Sequence, residues 1–173
     1  QAVSYSPDGA QVATAGQDGA ARIWNAEPEF DLLILTDHTG PVRRISFSPD
    51  GTLAATGGND RTARVWDAVT GASLHAFSDH NQVVNDAVLN ADNSLLATAS
   101  DDFNARLWDL NTGEVQLPLL FHDGPVNSVA FSPNGRLLLT ASDDGFARLW
   151  IVDDHSLQVR FDNEGQAVNR AVF

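Results

Sequence analysis

The chain has no cysteine, so disulfides and thiolate metal sites are excluded. It has no lysine; all ten positive side chains are arginine, set against 23 acidic ones for a net charge of −13. That balance repels phosphate backbones and anionic lipid, so neither nucleic acid nor a membrane surface is an expected partner. Arg43-Arg44 is the lone basic pair. Methionine is absent even at position 1, and the first residues show no basic stretch followed by an apolar one, so no signal peptide is expected and the expected compartment is the cytoplasm. No apolar run approaches the roughly 18–20 residues that span a bilayer, and no segment keeps a helical period. What remains is 173 residues, 43% hydrophobic: enough for one domain with a sizeable core.

The chain does have a period. Tryptophans stand at 24, 66, 108 and 150, each 42 residues from the last. The same interval separates Thr14, Thr56, Thr98 and Thr140; Asp18, Asp60, Asp102 and Asp144; and Arg22, Arg64, Arg106 and Arg148. Tyr5, Phe47, Leu89, Phe131 and Phe173 make a fifth series. A fixed period of roughly 40–45 residues marks a repeat architecture. Within one module, Val42–Phe47 reads as a strand, Ser48-Pro49-Asp50-Gly51 as a turn and Leu53–Gly58 as a second strand. Asn59-Asp60 turns into a third strand over Thr62–Trp66, and Thr70-Gly71 into a fourth over Ser73–Phe77. Four short strands per module predict an all-β fold of antiparallel sheets. The small residues of the second strand leave room for a neighbouring sheet.

These motifs resemble the WD-repeat (β-transducin-like) family. Trp66-Asp67 and Trp108-Asp109 carry the name-giving pair, with Trp24-Asn25 and Trp150-Ile151 as departures; Asp37-His38, Asp79-His80 and Phe121-His122 stand where the family places Gly-His. The resemblance covers the whole chain. It implies a β-propeller with one four-stranded blade per repeat, here four blades over about 1–37, 38–79, 80–121 and 122–163, with 164–173 as the first strand of a next one. It also implies a non-catalytic protein–protein interaction scaffold, as a segment of a larger regulatory or signalling protein, with a protein or peptide partner and no cofactor.

Three sets carry chemistry-bearing groups: His38, Thr56, Asp60, Trp66; His80, Thr98, Asp102, Trp108; and His122, Thr140, Asp144, Trp150. Hydroxyl, imidazole and carboxylate invite a hydrolase reading. An enzyme needs one site, however, and this pattern occurs three times. The resemblance implies a buried hydrogen-bonded tetrad in each blade, and buried indole and hydroxyl groups do need partners. No metal site is expected, because each set holds one imidazole and zinc needs three or four converging ligands. His75 and His155 fall outside the repeating positions and are expected to face solvent; the repeated arginines are expected to lie on a strand surface with solvated or paired heads.

The pattern is cut at both ends. Thr14, Asp18 and Trp24 form a partial tetrad without a histidine, and Glu164 occupies the position of His38. Two explanations fit: part of a ring of seven or eight blades, or a half-propeller that pairs with a copy of itself into an eight-bladed homodimer. An open arc would expose more apolar area than the few hundred Å² a monomer tolerates. In this family partners dock most often on the face bearing the loop before each first strand. The matching positions are Gln1, Arg43, Asn85, Asn127 and Asn169, with Gln17, Asn59, Asp101 and Asp143. That polar face is expected to suit a polar or basic peptide.

Overall fold

The computed structural model describes residues 2–26 and 32–173. They form four sheets of four antiparallel strands, each sheet in plain sequence order. The first holds β1 (Val3–Tyr5), β2 (Gln11–Ala15), β3 (Ala21–Asn25) and β4 (Leu32–Leu35). The second holds β5 (Val42–Phe47), β6 (Leu53–Gly58), β7 (Ala63–Asp67) and β8 (Ser73–Phe77). β9 (Val84–Leu89), β10 (Leu95–Ser100), β11 (Asn104–Asp109) and β12 (Val115–Phe121) make the third. β13 (Val126–Phe131), β14 (Leu137–Ser142), β15 (Phe146–Ile151) and β16 (Leu157–Asp162) make the fourth. Among the described residues there is no helix, so none is long and apolar enough to cross a membrane. The all-β expectation of four-stranded antiparallel blades holds.

Turn chemistry sets the strand ends. Ser48 Oγ accepts Leu53 N–H at 3.0 Å and donates to Asp50 Oδ1 at 2.6 Å, closing the β5–β6 turn around Pro49. Gly51 completes it at φ 75, the left-handed region that glycine enters without penalty. The aspartate after the tryptophan has a similar local task. Asp67 Oδ1 accepts the N–H groups of Val69 (2.9 Å) and Thr70 (2.7 Å), and Asp109 Oδ1 those of Asn111 and Thr112. This Asx turn competes with strand continuation and reverses the chain.

First strands gather at the hub: β1 neighbours β5, β5 neighbours β9 and β9 neighbours β13. Three apolar clusters fill the junctions between sheets. In the first, Ala13, Ala15, Ile23 and Leu35 of one sheet meet Val42, Ile45 and Trp66 of the next. The second joins Val65 and Phe77 to Ala87, Leu96 and Trp108. The third joins Leu107 and Leu120 to Val129, Leu138 and Trp150. Each of the two inner sheets thus buries two different faces, one carrying alanines and the other a tryptophan. Alanine at 55, 63, 97 and 105 admits the neighbour closely because a larger Cβ substituent has no space there.

Residues 163–173 form no strand. Val168 N–H nevertheless donates to Ser142 O at 2.9 Å, as Val42 N–H does to Gly16 O. A strand needs a ladder partner, and among the described residues none pairs with this segment.

Candidate functional site

The three complete sets are brought together by the same elements each time. The threonine sits on the second strand of its sheet and the tryptophan on the third, cross-strand from one another. The aspartate lies in the turn between those strands, and the histidine in the loop that leads to the first. Trp66 Nε1–H donates to Thr56 Oγ1 at 2.9 Å, His38 Nε2 lies 2.8 Å from the same hydroxyl, and His38 Nδ1 lies 2.9 Å from Asp60 Oδ2. In the next sheet Trp108 to Thr98 is 2.9 Å, His80 Nε2 to Thr98 is 2.8 Å, and His80 Nδ1 to Asp102 Oδ2 is 2.8 Å. In the last, Trp150 to Thr140 is 3.0 Å and His122 Nε2 to Thr140 is 2.7 Å, while His122 Nδ1 stands 3.3 Å from Asp144 Oδ2. Each aspartate also accepts the backbone N–H of the residue after its histidine: Thr39 at 2.9 Å, Asn81 at 3.1 Å and Asp123 at 3.0 Å. The loop is thereby tied to the turn, and the hydroxyls, imidazoles and indoles are all buried.

Electrostatics follow from that burial. Desolvation pulls the His38 and His80 imidazoles below their ordinary value, against the opposing charges of Asp60 and Asp102. His122 is pushed down to about 4, by burial first and then by the Arg148 guanidinium. Burial works to raise the Asp60 carboxyl, but the Thr39 N–H and the Thr62 hydroxyl outweigh it and hold the group below the usual range. For Asp102 the same opposition is won by His80 and the Asn81 N–H, and for Asp144 by Arg148. At neutral pH each set is therefore a neutral imidazole beside an ionised carboxylate. A buried threonine already accepting an indole N–H is a poor nucleophile.

The partial set is different. Trp24 Nε1–H reaches Thr14 Oγ1 at 3.2 Å, but Asp18 pairs with Arg22 at 2.6 Å on an exposed surface. Among the described residues no three His, Asp or Glu side chains converge as a metal site would need.

The two series expected on the loop face turn out to be partners of one another. Arg43 Nε–H donates to Asn59 Oδ1 at 2.5 Å, Asn85 Nδ2–H to Asp101 Oδ1 at 2.6 Å, and Asn127 Nδ2–H to Asp143 Oδ1 at 2.6 Å. Asn85 and Asn127 also donate across the junction to the carbonyls of Val126 and Val168, both at 3.1 Å. Gln17 joins Arg43 and Asn59 around a cavity of about 180 Å³. Asn169 lies on the hub side with Arg170. Gln1 lies outside the described residues.

A family model described as WD domain, G-beta repeat, matches residues 1–25, 31–67, 71–109 and 114–150. The chain belongs to the WD-repeat family. A similar curated protein is the Periodic tryptophan protein 2 homolog of Dictyostelium discoideum, 44% identical over 43 residues; the match takes in 25% of this chain and 5% of that protein.

Within these WD repeats two expectations need correction. Of the repeated arginines, Arg22 and Arg64 have partly exposed, paired heads as expected, but the other two do not stay at the surface. Arg106 and Arg148 are buried, and reach the tetrad carboxylates of Asp102 (3.2 Å) and Asp144 (2.5 Å). In the last WD repeat Arg148 also contacts His122 Nδ1. His122 Nε2 lies 2.7 Å from Thr140 Oγ1, whose hydroxyl donates to Arg148 O at 3.3 Å. Thr62 Oγ1 and the Asn104 side-chain amide bond the carboxylates of Asp60 and Asp102, whereas Phe146, at the matching position, bonds Asp144 only through its backbone N–H at 3.0 Å. The other correction is His155, which is buried, not solvent-facing: its Nδ1 bonds Pro118 O at 3.0 Å and its Nε2 meets Gln116 Oε1 at 3.2 Å.

Sequence reasoning also missed Asp86. It is a buried acid on β9 that pairs with Arg44 at 3.2 Å and accepts Val129 N–H at 3.3 Å, so it touches three sheets. The signal was present in opposite charges one period apart, at 44 and 86.

Proposed function

We propose that this chain is a non-catalytic docking platform for a protein or peptide, with the three His–Thr–Asp–Trp sets as internal braces and the loop face as the contact surface. The carrying observation is the closed bonding of those sets. The hydroxyls and imidazoles of the three complete sets are each buried and bonded within their own repeat, so none of them stands open to a substrate. The hydrolase reading lacks a non-repeating acid–base pair in an accessible cleft. The loop face, by contrast, keeps polar groups on a rigid base: the exposed Arg43 and Asp143 side chains and the half-buried Asp101. Panning a displayed random-peptide library on the protein tests this. Enriched peptides that lose binding to Arg43→Glu/Asp101→Lys, with an unchanged melting curve, support it; no enrichment sinks it.

A second reading concerns the end faces. Trp24 is 36% exposed where Trp66 and Trp108 are 2% and 1%, and Phe161 is 51% exposed where Phe77 is 3%. Inside the chain Phe77 packs on Trp108 of the next sheet at 4.9 Å. We infer that both end faces are docking surfaces for a further WD blade, from a longer ring or from a second copy in an eight-bladed pair.

A further inference from the structure

At the hub, Ala2 and two positions each of β5, β9 and β13, continued by Asn169 and Arg170, line a cavity of about 150 Å³. Positions that pack between sheets repeat in kind: Ile45, Ala87 and Val129 are all buried and apolar. The hub-lining positions do not. One runs from arginine to asparagine, the other through alanine, arginine, aspartate, serine and arginine. Packing constrains the first series to one chemistry, whereas the lining is free to hold what is particular to this chain.

Three of the ten arginines meet at this cavity in a chain of net charge −13. The charge of Arg44 is matched by the buried Asp86. The other two are unmatched. Arg43 is held through Nε by Asn59, and among the described residues its terminal nitrogens have no acceptor. Arg170 is exposed, and among the described residues no carboxylate lies within ion-pair distance of it. The cavity therefore carries two free guanidinium forks, with amide lining from Asn127. The planar fork is the geometric complement of a carboxylate, and bonds between two charged partners are the strong ones. At roughly 30 Å³ per water, the space suits one side-chain head group with a few waters, and no folded element.

We propose that this hub cavity receives the carboxylate of an acidic side chain from a docking peptide, held between Arg43 and Arg170. The inference rests on the docking-platform reading and specifies its anchor. It differs from the polar or basic peptide expected from sequence, because the groups left without a partner at the hub are the guanidiniums of Arg43 and Arg170.

Fluorescein-labelled hexaglutamate and hexalysine, titrated by anisotropy near 0.15 M salt, test it. Beyond a Debye length of about 8 Å the remaining negative charge is largely screened, so binding of an anion reports the local arginines. Saturable hexaglutamate binding, weakened at least about tenfold in Arg43→Gln/Arg170→Gln with an unchanged melting curve, is the expected result. No saturable hexaglutamate binding, or equal binding by the double variant, overturns the proposal. Saturable hexalysine binding in place of hexaglutamate overturns it too, yet leaves a docking role standing; the library selection decides that role separately.

Discussion

The stake at a single tetrad residue is the orphaning of its neighbours. A net hydrogen bond contributes about 1 kcal/mol, but a buried group left without a partner costs about 1–3. His80→Ala takes one buried partner from each of Thr98 and Asp102, so urea denaturation is expected to show a loss of about 1–3 kcal/mol. Trp24→Phe, on the exposed partial set, is expected to cost within about 0.5 kcal/mol, as surface changes do. Equal losses would mean burial is not what gives the tetrad its weight. Acid should act through the same groups. A folded-state imidazole held below its ordinary value makes the unfolded chain bind more protons as pH falls. The stabilisation from His122 is thus whole above about pH 6.5 and drains away toward about 4. The lowered carboxylates of Asp60, Asp102 and Asp144 lose theirs at lower pH still, in the same direction. The melting temperature is expected to fall from pH 7 to pH 4, with the advantage of the native chain over His122→Gln shrinking across that window; a constant gap between the two curves would contradict the assignment.

At the scale of the element, the second strand must be slim because another sheet lies on it. Gly57 faces the neighbouring sheet directly. A Cβ there would stand 2.8 Å from Val84 Cγ1 and 2.9 Å from Val84 O, and the second of these is backbone that cannot turn aside. Gly57→Val is expected to destabilise by about 1–3 kcal/mol through overpacking, read as a lower denaturation midpoint at an unchanged slope. A neutral result would show that the junction between the second and third sheets can open without loss. The strands themselves were legible from alternation and turn residues: β5, β6 and β8 begin and end where the Ser-Pro-Asp-Gly and Thr-Gly signals place them, and β7 starts one residue later. The entry of Arg106 and Arg148 into the tetrad carboxylates was not legible. It depends on which side chains meet in space, and a one-dimensional period treats all four arginines alike.

For the whole molecule the decisive feature is the pair of unlike faces that each sheet presents. Three junctions join an alanine face to a tryptophan face, and the chain ends with one of each uncovered, marked by Trp24 and Phe161. Faces that match in this head-to-tail sense are expected to associate. Sedimentation of the 173-residue chain should show self-association that Phe161→Asp abolishes, while a monomer at all concentrations would count against self-pairing.

The sequence by itself determined the repeat length, the all-β class and the four residues of each set, because hydrogen-bond chemistry and strand alternation are written in spacing. Only the tertiary structure decided which partners those residues share: the arginine drawn into the carboxylate of a tetrad, Asp86 spanning three sheets, the asparagines tied to the face acids. Those choices turn on burial, which removes water as the competing partner, and burial depends on neighbours that lie about one period, or several strands, away along the chain.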